Sequence, residues 1–282
     1  MKKMMMFISV LALAIVAMAG CGGEEKNNKV KIIEIPLTQE EYAFGVDKEQ
    51  PELYDEVNAF IEQIQTDGTY DDIYNNYFGD GEPVAVKSAQ MDASKDQLIV
   101  ATNAAFEPFE YTKGENYYGI DMEIAALLAE HLGKELVISN MDFDAVCLSV
   151  GESKADIAMA GLTINEDRKE YVNFTIPYYN AAQTLVTMEA DTTFAEATTV
   201  EALEEALNAL DADTKIGVQQ GTTAQFYLEG DADWGFNGYD VEVVTYKSGT
   251  LAVQDMINGN IQYVVIDEAP AGYIVGSINE LN

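Results

Sequence analysis

Three observations predict an α/β fold built mainly on parallel strands. From Gln97 to the end of the chain, short strand-like runs alternate with segments of helical period, the pattern of stacked α/β layers. The chain is 48% apolar and 10% aromatic, enough for a core, so its acidity belongs to a solvated surface and not to a disordered coil. Its 282 residues suit one large domain or two of ordinary size, and with two Cys no disulfide framework is implied.

The elements follow in chain order. Lys31–Ile35 and Tyr42–Val46 read as strands, and Pro51, at a first helical turn, opens a helix to about Gln65. Asp67-Gly68 breaks that helix, and Thr69–Phe78 forms a short aromatic one ended by Gly79. Its Tyr70, Tyr74, Tyr77 and Phe78 have helical spacing and are expected to pack in the core. Gly79–Lys95 is polar and aperiodic, hence a linker. Gln97–Thr102 is a strand, and Gly119–Leu132 sets Ile120, Ile124, Leu127, Leu128 and Leu132 on one helical face before Gly133 stops it. Strands at Glu135–Ser139 and Asp156–Ala160 flank a helix from about Phe143, and Gln183–Met188 is extended. A helix at Val200–Leu210, strand Lys215–Val218, a helix from near Thr222, strand Asp240–Thr245, a helix at about Thr250–Ile257, strand Ile261–Ile266 and a helix after Asp267 complete the series.

Charge narrows the function. Fifteen Lys and Arg against 49 Asp and Glu give a formal charge of −34, which repels a polyphosphate backbone and argues against nucleic acid as a partner. Cys21 and Cys147 cannot build a tetrahedral zinc site and His131 is the sole His, so no metal, cofactor or His-based triad is expected. His131, in the last turn of its helix, suits the helix dipole, and Cys147 on an apolar helix face reads as a small buried hydrophobe.

The first residues carry an address. Lys2 and Lys3, an apolar run from about Met4 to Met18, and Ala19-Gly20-Cys21 have the form of a secretory signal over residues 1–20. Small residues before a Cys resemble a bacterial lipobox, with Met18 where Leu is usual, which implies acylation of Cys21 and a flexible polar tether over 21–29. Removing residues 1–20 takes away two Lys and no acid, moving the charge from −34 to −36. Such a surface is repelled by anionic headgroups, so acyl chains alone would hold it extracytoplasmically at the membrane.

A free amino acid offers a carboxylate and an ammonium on one carbon, and a site for it must supply a fixed bidentate cation and a fixed anion. Ala160-Gly161-Leu162-Thr163-Ile164-Asn165-Glu166-Asp167-Arg168 follows a strand, turns at Gly161 and opens a helix containing Arg168, so the Thr163 N–H and the guanidinium could grip one carboxylate. Asp267 ends a Val-Val-Ile strand, where open α/β sheets place ligands.

That stretch, with Ala101-Thr102-Asn103-Ala104-Ala105-Phe106-Glu107-Pro108-Phe109-Glu110-Tyr111, Gly119-Ile120-Asp121-Met122, Asp142-Phe143-Asp144, Val172–Tyr179 and Val265-Ile266-Asp267, resembles family 3 bacterial solute-binding proteins, the amino-acid receptors of ABC importers. The resemblance implies a type II periplasmic-binding-protein fold, two α/β lobes joined by a two-strand hinge. It implies Arg168 on the ligand carboxylate with N–H groups at Thr163 and in the Gly221-Thr222-Thr223 turn, and Asp267 with the Gly161 carbonyl on the ammonium. Phe106 and Phe143 would sandwich the aliphatic part, while Asn103 with Gln219 or Gln220 could meet a polar side chain. A monomeric binding protein, not an enzyme, follows from it, with permease subunits as partners.

The landmarks are out of the family's order. Val30–Gly79, including Glu40–Val46, Pro51-Glu52-Leu53 and Asp67-Gly68-Thr69-Tyr70, looks like the family's usual C-terminal stretch, and the chain stops at Ile278–Asn282 where that stretch would begin. A circular permutation is expected, with lobe one from 40–79 and 95–179, lobe two from 29–38 and 183–282, and residues 80–94 joining the ancestral termini. In that arrangement Lys31–Ile35 pairs in the same sheet as 240–245 or 261–266. The alternatives are an enzyme on the same scaffold, resembling cyclohexadienyl dehydratase with Glu107 as acid or base, and a sensory ligand-binding protein.

Overall fold

Two five-stranded sheets organise this computed structural model, which describes residues 28–281. The expected signal over 1–20, and Cys21 with most of its tether, lie outside the described residues. Strand β1 (Val30–Ile33) leads to the short strands β2 (Glu40–Tyr42) and β3 (Gly45–Asp47). Helices α1 (Pro51–Asp67) and α2 (Thr69–Phe78) meet at Gly68, whose φ of 91° ends one and starts the other. After the linker come β4 (Gln97–Thr102), a ladder of β5 (Ala105–Phe106), β6 (Glu110–Lys113) and β7 (Asn116–Tyr118), and α3 (Ile120–Leu132). Strand β8 (Glu135–Asn140), a 3-10 turn (Phe143–Ala145), α4 (Val146–Gly151), β9 (Ile157–Ala158), α5 (Glu166–Lys169) and β10 (Val172–Phe174) follow. Next are β11 (Tyr179–Ala181), β12 (Gln183–Met188), α6 (Val200–Asn208), β13 (Lys215–Gln219), α7 (Thr223–Glu229) and β14 (Glu242–Tyr246). The chain closes with α8 (Gly249–Ile257), β15 (Tyr263–Asp267) and α9 (Glu268–Leu281).

Both sheets follow one plan. In one, the parallel strands β8-β4-β9 are extended by antiparallel β3 and then β10; in the other, β14-β13-β15 are extended by antiparallel β12 and then β1. The strand joining β1 to β15 is thus β12, and β1 lies in the sheet where Lys31–Ile35 is expected. Each sheet defines a lobe, and its fourth strand, β3 or β12, belongs to chain that has just crossed from the other lobe. The crossing strands β2 and β11 pair antiparallel, Tyr42 opposite Tyr179, as a two-stranded hinge.

Where the sequence predicts one strand, Tyr42–Val46, the structure has two. Ala43 N–H donates to the Leu162 carbonyl at 3.0 Å and Phe44 N–H to Thr175 Oγ1 at 3.1 Å, so tertiary acceptors interrupt the ladder where the chain passes from hinge to sheet. The ladder β5–β7 is absent from the sequence reading. It packs on α3 through Gly119, whose φ is 126° and whose Cβ position would fall 2.0 Å from the Phe109 carbonyl oxygen, so only glycine fits.

The core of the first lobe includes the fully buried Tyr42, Phe44, Phe109, Ile120 and Met122, each contributing on the order of 1.5–3 kcal/mol by burial. Cys147 is buried among apolar neighbours, as expected. His131 lies in the last turn of α3, against the Phe60 ring at 5.1 Å and 3.8 Å from Glu56. The aromatic face of α2 is only partly core: Tyr77 is buried, but Tyr74 and Phe78 are 39% and 37% exposed. They stack on each other, and Phe78 stacks on the hinge Tyr179, because α2 flanks the crossing instead of filling a lobe.

Candidate functional site

Arg168 is positioned by a tight local fold. The chain leaves β9, turns at Gly161 with φ 54°, and Asn165 caps α5 by accepting the Arg168 N–H on Oδ1 at 2.6 Å. A Cβ at Gly161 would sit 2.9 Å from the Phe106 ring, so glycine lets the wall of the cleft close on the turn. Arg168 is 9% exposed; its Nη1 donates to the Thr163 carbonyl at 2.7 Å and Nη2 to the Gly221 carbonyl at 3.0 Å. Its guanidinium carbon lies 5.1 Å from the Phe143 ring centroid, a cation–π contact. Gly221 stands between β13 and α7, so this arginine spans both lobes.

Asp267, the last residue of β15, is 5% exposed. Its Oδ1 accepts from the Tyr42 hydroxyl and from Gln183 Nε2 at 2.8 Å. Burial pushes the carboxyl up to about 7, the nearby Glu40 charge adds to the rise, and the two hydrogen bonds oppose it. Buried Glu40 accepts from Thr38, from Gln183 Nε2 at 3.0 Å and from Thr163 Oγ1 at 2.6 Å, so one glutamine amide bridges two carboxylates.

Eight of the residues singled out in the sequence line one cavity: Phe106, Phe143, Gly161, Thr163 and Arg168 from the first lobe, Gln219, Thr223 and Asp267 from the second. Arg168 and Asp267 therefore face a shared space. Asn103 joins through Gln219, whose Nε2 donates to Asn103 Oδ1 at 2.9 Å. The lobes are shut on each other, leaving about 10 Å³, room for about one water. Across the closure run Arg168 to Gly221, Thr223 Oγ1 to Thr163 Oγ1 at 3.3 Å, and, at the exposed rim, Gln220 Nε2 to Asp144 Oδ2 at 2.7 Å and Lys247 to Asp142. Gln220 is thus spent on the rim and Gln219 points inward. Glu107 lies outside this cavity, in a neighbouring cleft with Tyr111, Ser248 and Tyr273, where burial raises its carboxyl.

Thr222, expected only as part of the Gly221-Thr222-Thr223 turn, also lines the cavity; sequence reasoning did not single out the polar ring of Tyr42, Gln183 and Glu40 around Asp267. Nor did it find the layer behind Gly161. Asp121 Oδ2 accepts the Gly161 N–H at 2.9 Å and Oδ1 the Tyr178 hydroxyl at 2.6 Å, and burial pushes this carboxyl up to about 7. Fully buried Glu110, beside it, is raised well above the carboxylate range, first by burial and then by the Asp121 charge. One signal was available: Glu40 and Tyr42 alternate on the buried face of β2, an acid where a half-buried strand would carry an apolar residue.

Two hinged α/β lobes that present a cation and an anion to one cavity define a solute-binding protein of the two-lobed kind. The chain matches bacterial extracellular solute-binding proteins, family 3, over residues 6–80 and 98–221, and it belongs to that family. It is 35% identical over 95 residues to the arginine-binding extracellular protein ArtP of Bacillus subtilis, covering 34% of this chain and 37% of that one. It is 36% identical over 92 residues to cyclohexadienyl dehydratase of Pseudomonas aeruginosa, covering 32% of this chain and 34% of that one. An ancestral arginine-binding protein solved with arginine superposes with a TM-score of 0.55 at 29% identity, covering 65% of this chain and 75% of that one. The matches span from about a third to under two thirds of the curated relatives' lengths. The fold is that of the type II periplasmic amino-acid-binding proteins.

Proposed function

We propose that the protein captures a free polar L-amino acid between its lobes and delivers it to the permease of an ABC importer, while Cys21 carries a lipid anchor outside the cytoplasm. The observation that supports this most is the placement of Arg168 and Asp267, from opposite lobes, on one cavity. The remaining Arg168 N–H donors, with N–H groups of Thr163 and the Gly221–Thr223 turn, take the α-carboxylate; Asp267 and the Gly161 carbonyl take the ammonium. Phe106 and Phe143 flank the aliphatic part, and Asn103 and Gln219 meet the side chain. Because each charge is completed only when the lobes meet, ligand binding and closure are one event, and closure presents the shape a permease reads. A thermal-shift screen of the twenty amino acids tests the capture: one or a few should raise the melting temperature, and none doing so would reject it. Recovering the stabilising amino acid unchanged separates a receptor from a dehydratase, which would consume its substrate.

The same reading takes the chain as circularly permuted. The two sheets support it, because β10 follows β9 directly along the chain, whereas its counterpart β1 stands at the front, far from β15 in sequence. The family match also falls in two blocks that stop on either side of residues 81–97, close to the linker read from the sequence. A superposition that reaches 65% of this chain and 75% of the other accords with a moved segment.

A further inference from the structure

We infer that the cavity selects an amino acid whose side chain is an uncharged primary amide, of the glutamine or asparagine type; this rests on the reading of the cavity as an amino-acid site. Two observations carry it. The first is charge balance. Among the described residues lining the cavity, Arg168 and Asp267 are the only charged ones, and the two ends of a zwitterion use both. A third charge on the ligand would be buried facing no counter-charge. Other acids near the cavity are engaged elsewhere or lie outside its lining: Glu40 is held by Thr38, Gln183 and Thr163, Asp121 by Gly161 and Tyr178, Asp144 by Gln220 and Asp142 by Lys247 at the rim; Glu110 is buried beside Asp121 with its carboxyl pushed toward the neutral form by burial, and Glu107 faces the neighbouring cleft.

The second observation is an oriented orphan. The Met141 carbonyl can only accept, and Asn103 Nδ2 donates to it at 2.7 Å, which turns Asn103 Oδ1 toward Gln219. Gln219 must answer with Nε2, at 2.9 Å, and its Oε1 is left without a partner in a side chain 3% exposed that lines the cavity. A buried carbonyl oxygen without a donor is costly and marks where a ligand donor belongs. A primary amide fills it with N–H and can accept the second Nε2 hydrogen of Gln219 on its own oxygen. A carboxylate would set oxygen against oxygen, an alkyl or thioether chain would leave the orphan unmet, and a guanidinium or ammonium would bring the unbalanced charge.

The test is calorimetric titration of the full chain in detergent micelles with L-glutamine, L-asparagine, L-methionine, L-arginine, L-lysine and L-glutamate as separate probes. The expected result is that glutamine or asparagine binds at least tenfold more tightly than each of the other four. Gln219→Leu should weaken the preferred amide at least tenfold and methionine less than threefold; if that variant does not fold, the unmodified series decides alone. Arginine, lysine, glutamate or methionine equalling or exceeding both amides would overturn the inference and leave the amino-acid site standing. No binding by any of the six would overturn the inference, and the amino-acid site would fall with it only if the screen of all twenty amino acids also found no ligand.

Discussion

Val30 and Asn279, 249 residues apart in sequence, exchange two hydrogen bonds: Val30 N–H donates to Asn279 Oδ1 at 3.1 Å, and Asn279 Nδ2 donates to the Val30 carbonyl at 2.8 Å. The end of α9 therefore rests on the first residue of the edge strand that its own lobe needs. If the chain is a permuted form of the family fold, this contact marks where a continuous chain was opened. A gene in which Leu281 is joined to Lys29 by a short Gly/Ser linker, and the chain is reopened in the exposed Asp92–Ser94 turn, should give a folded protein. Its affinity should match the parent within about threefold on titration with the same amino acid, whereas a chain that fails to fold would count against permutation.

The Arg168 guanidinium is held by two carbonyl acceptors and a ring, a geometry suited to a planar fork and not to a point charge. Arg168→Lys is expected to weaken amino-acid binding by about 3 kcal/mol or more, over a hundredfold, because the three donors of one ammonium cannot serve the Thr163 and Gly221 carbonyls and both carboxylate oxygens. Calorimetry reads the loss, and far-UV circular dichroism should show an unchanged fold.

The acidity of Asp267 sets a pH dependence. With the carboxyl pushed up to about 7 in the ligand-free molecule, an ammonium can bind only after the proton leaves. Affinity should be flat above about pH 8 and fall about tenfold per unit as the pH drops from about 7 toward 5. Titrations at pH 6 in buffers of different ionisation heat should report close to one proton released per ligand.

The same shift predicts a cost to the ligand-free fold. A carboxyl whose folded value lies above its ordinary 3.8 is more easily ionised in the unfolded chain, so its contribution to stability is greatest at low pH and declines as the pH rises from about 4 through about 7. Asp267→Asn keeps an oxygen for the Tyr42 hydroxyl and removes that decline. At pH 8 the variant should be more stable than the parent by roughly 1–4 kcal/mol in urea unfolding, and near pH 4 the two should converge. Amino-acid binding should be abolished in the variant.

The framework was legible in the sequence where local signals agree with the fold. Pro51 and Gly68, and the apolar face of Ile120–Leu132 with Gly133 after it, fix helix ends to within a residue or two, and Gln97–Thr102 coincides with its strand. The hairpin ladder of Ala105–Tyr118 was not legible, because its strands are two to four residues long and mix aromatic with charged side chains without a sustained alternation. The break after Tyr42 depends on Leu162 and Thr175, distant in sequence. The cavity-lining residues were legible because the family motifs carry them. Gln183 and Glu40 were not, since a shared buried amide between two carboxylates exists only once the hinge and β15 are brought together.

The clasp of Arg168 and Asp267 on opposite ends of one zwitterion is tested most directly by blocking those ends. The amino acid that most stabilises the protein should be titrated beside its N-acetyl derivative and its α-methyl ester, each lacking one of the two charges. Micromolar or tighter binding by the free amino acid, with both derivatives weakened at least a hundredfold, is the expected result. A blocked derivative that binds within tenfold of the free amino acid would contradict the account.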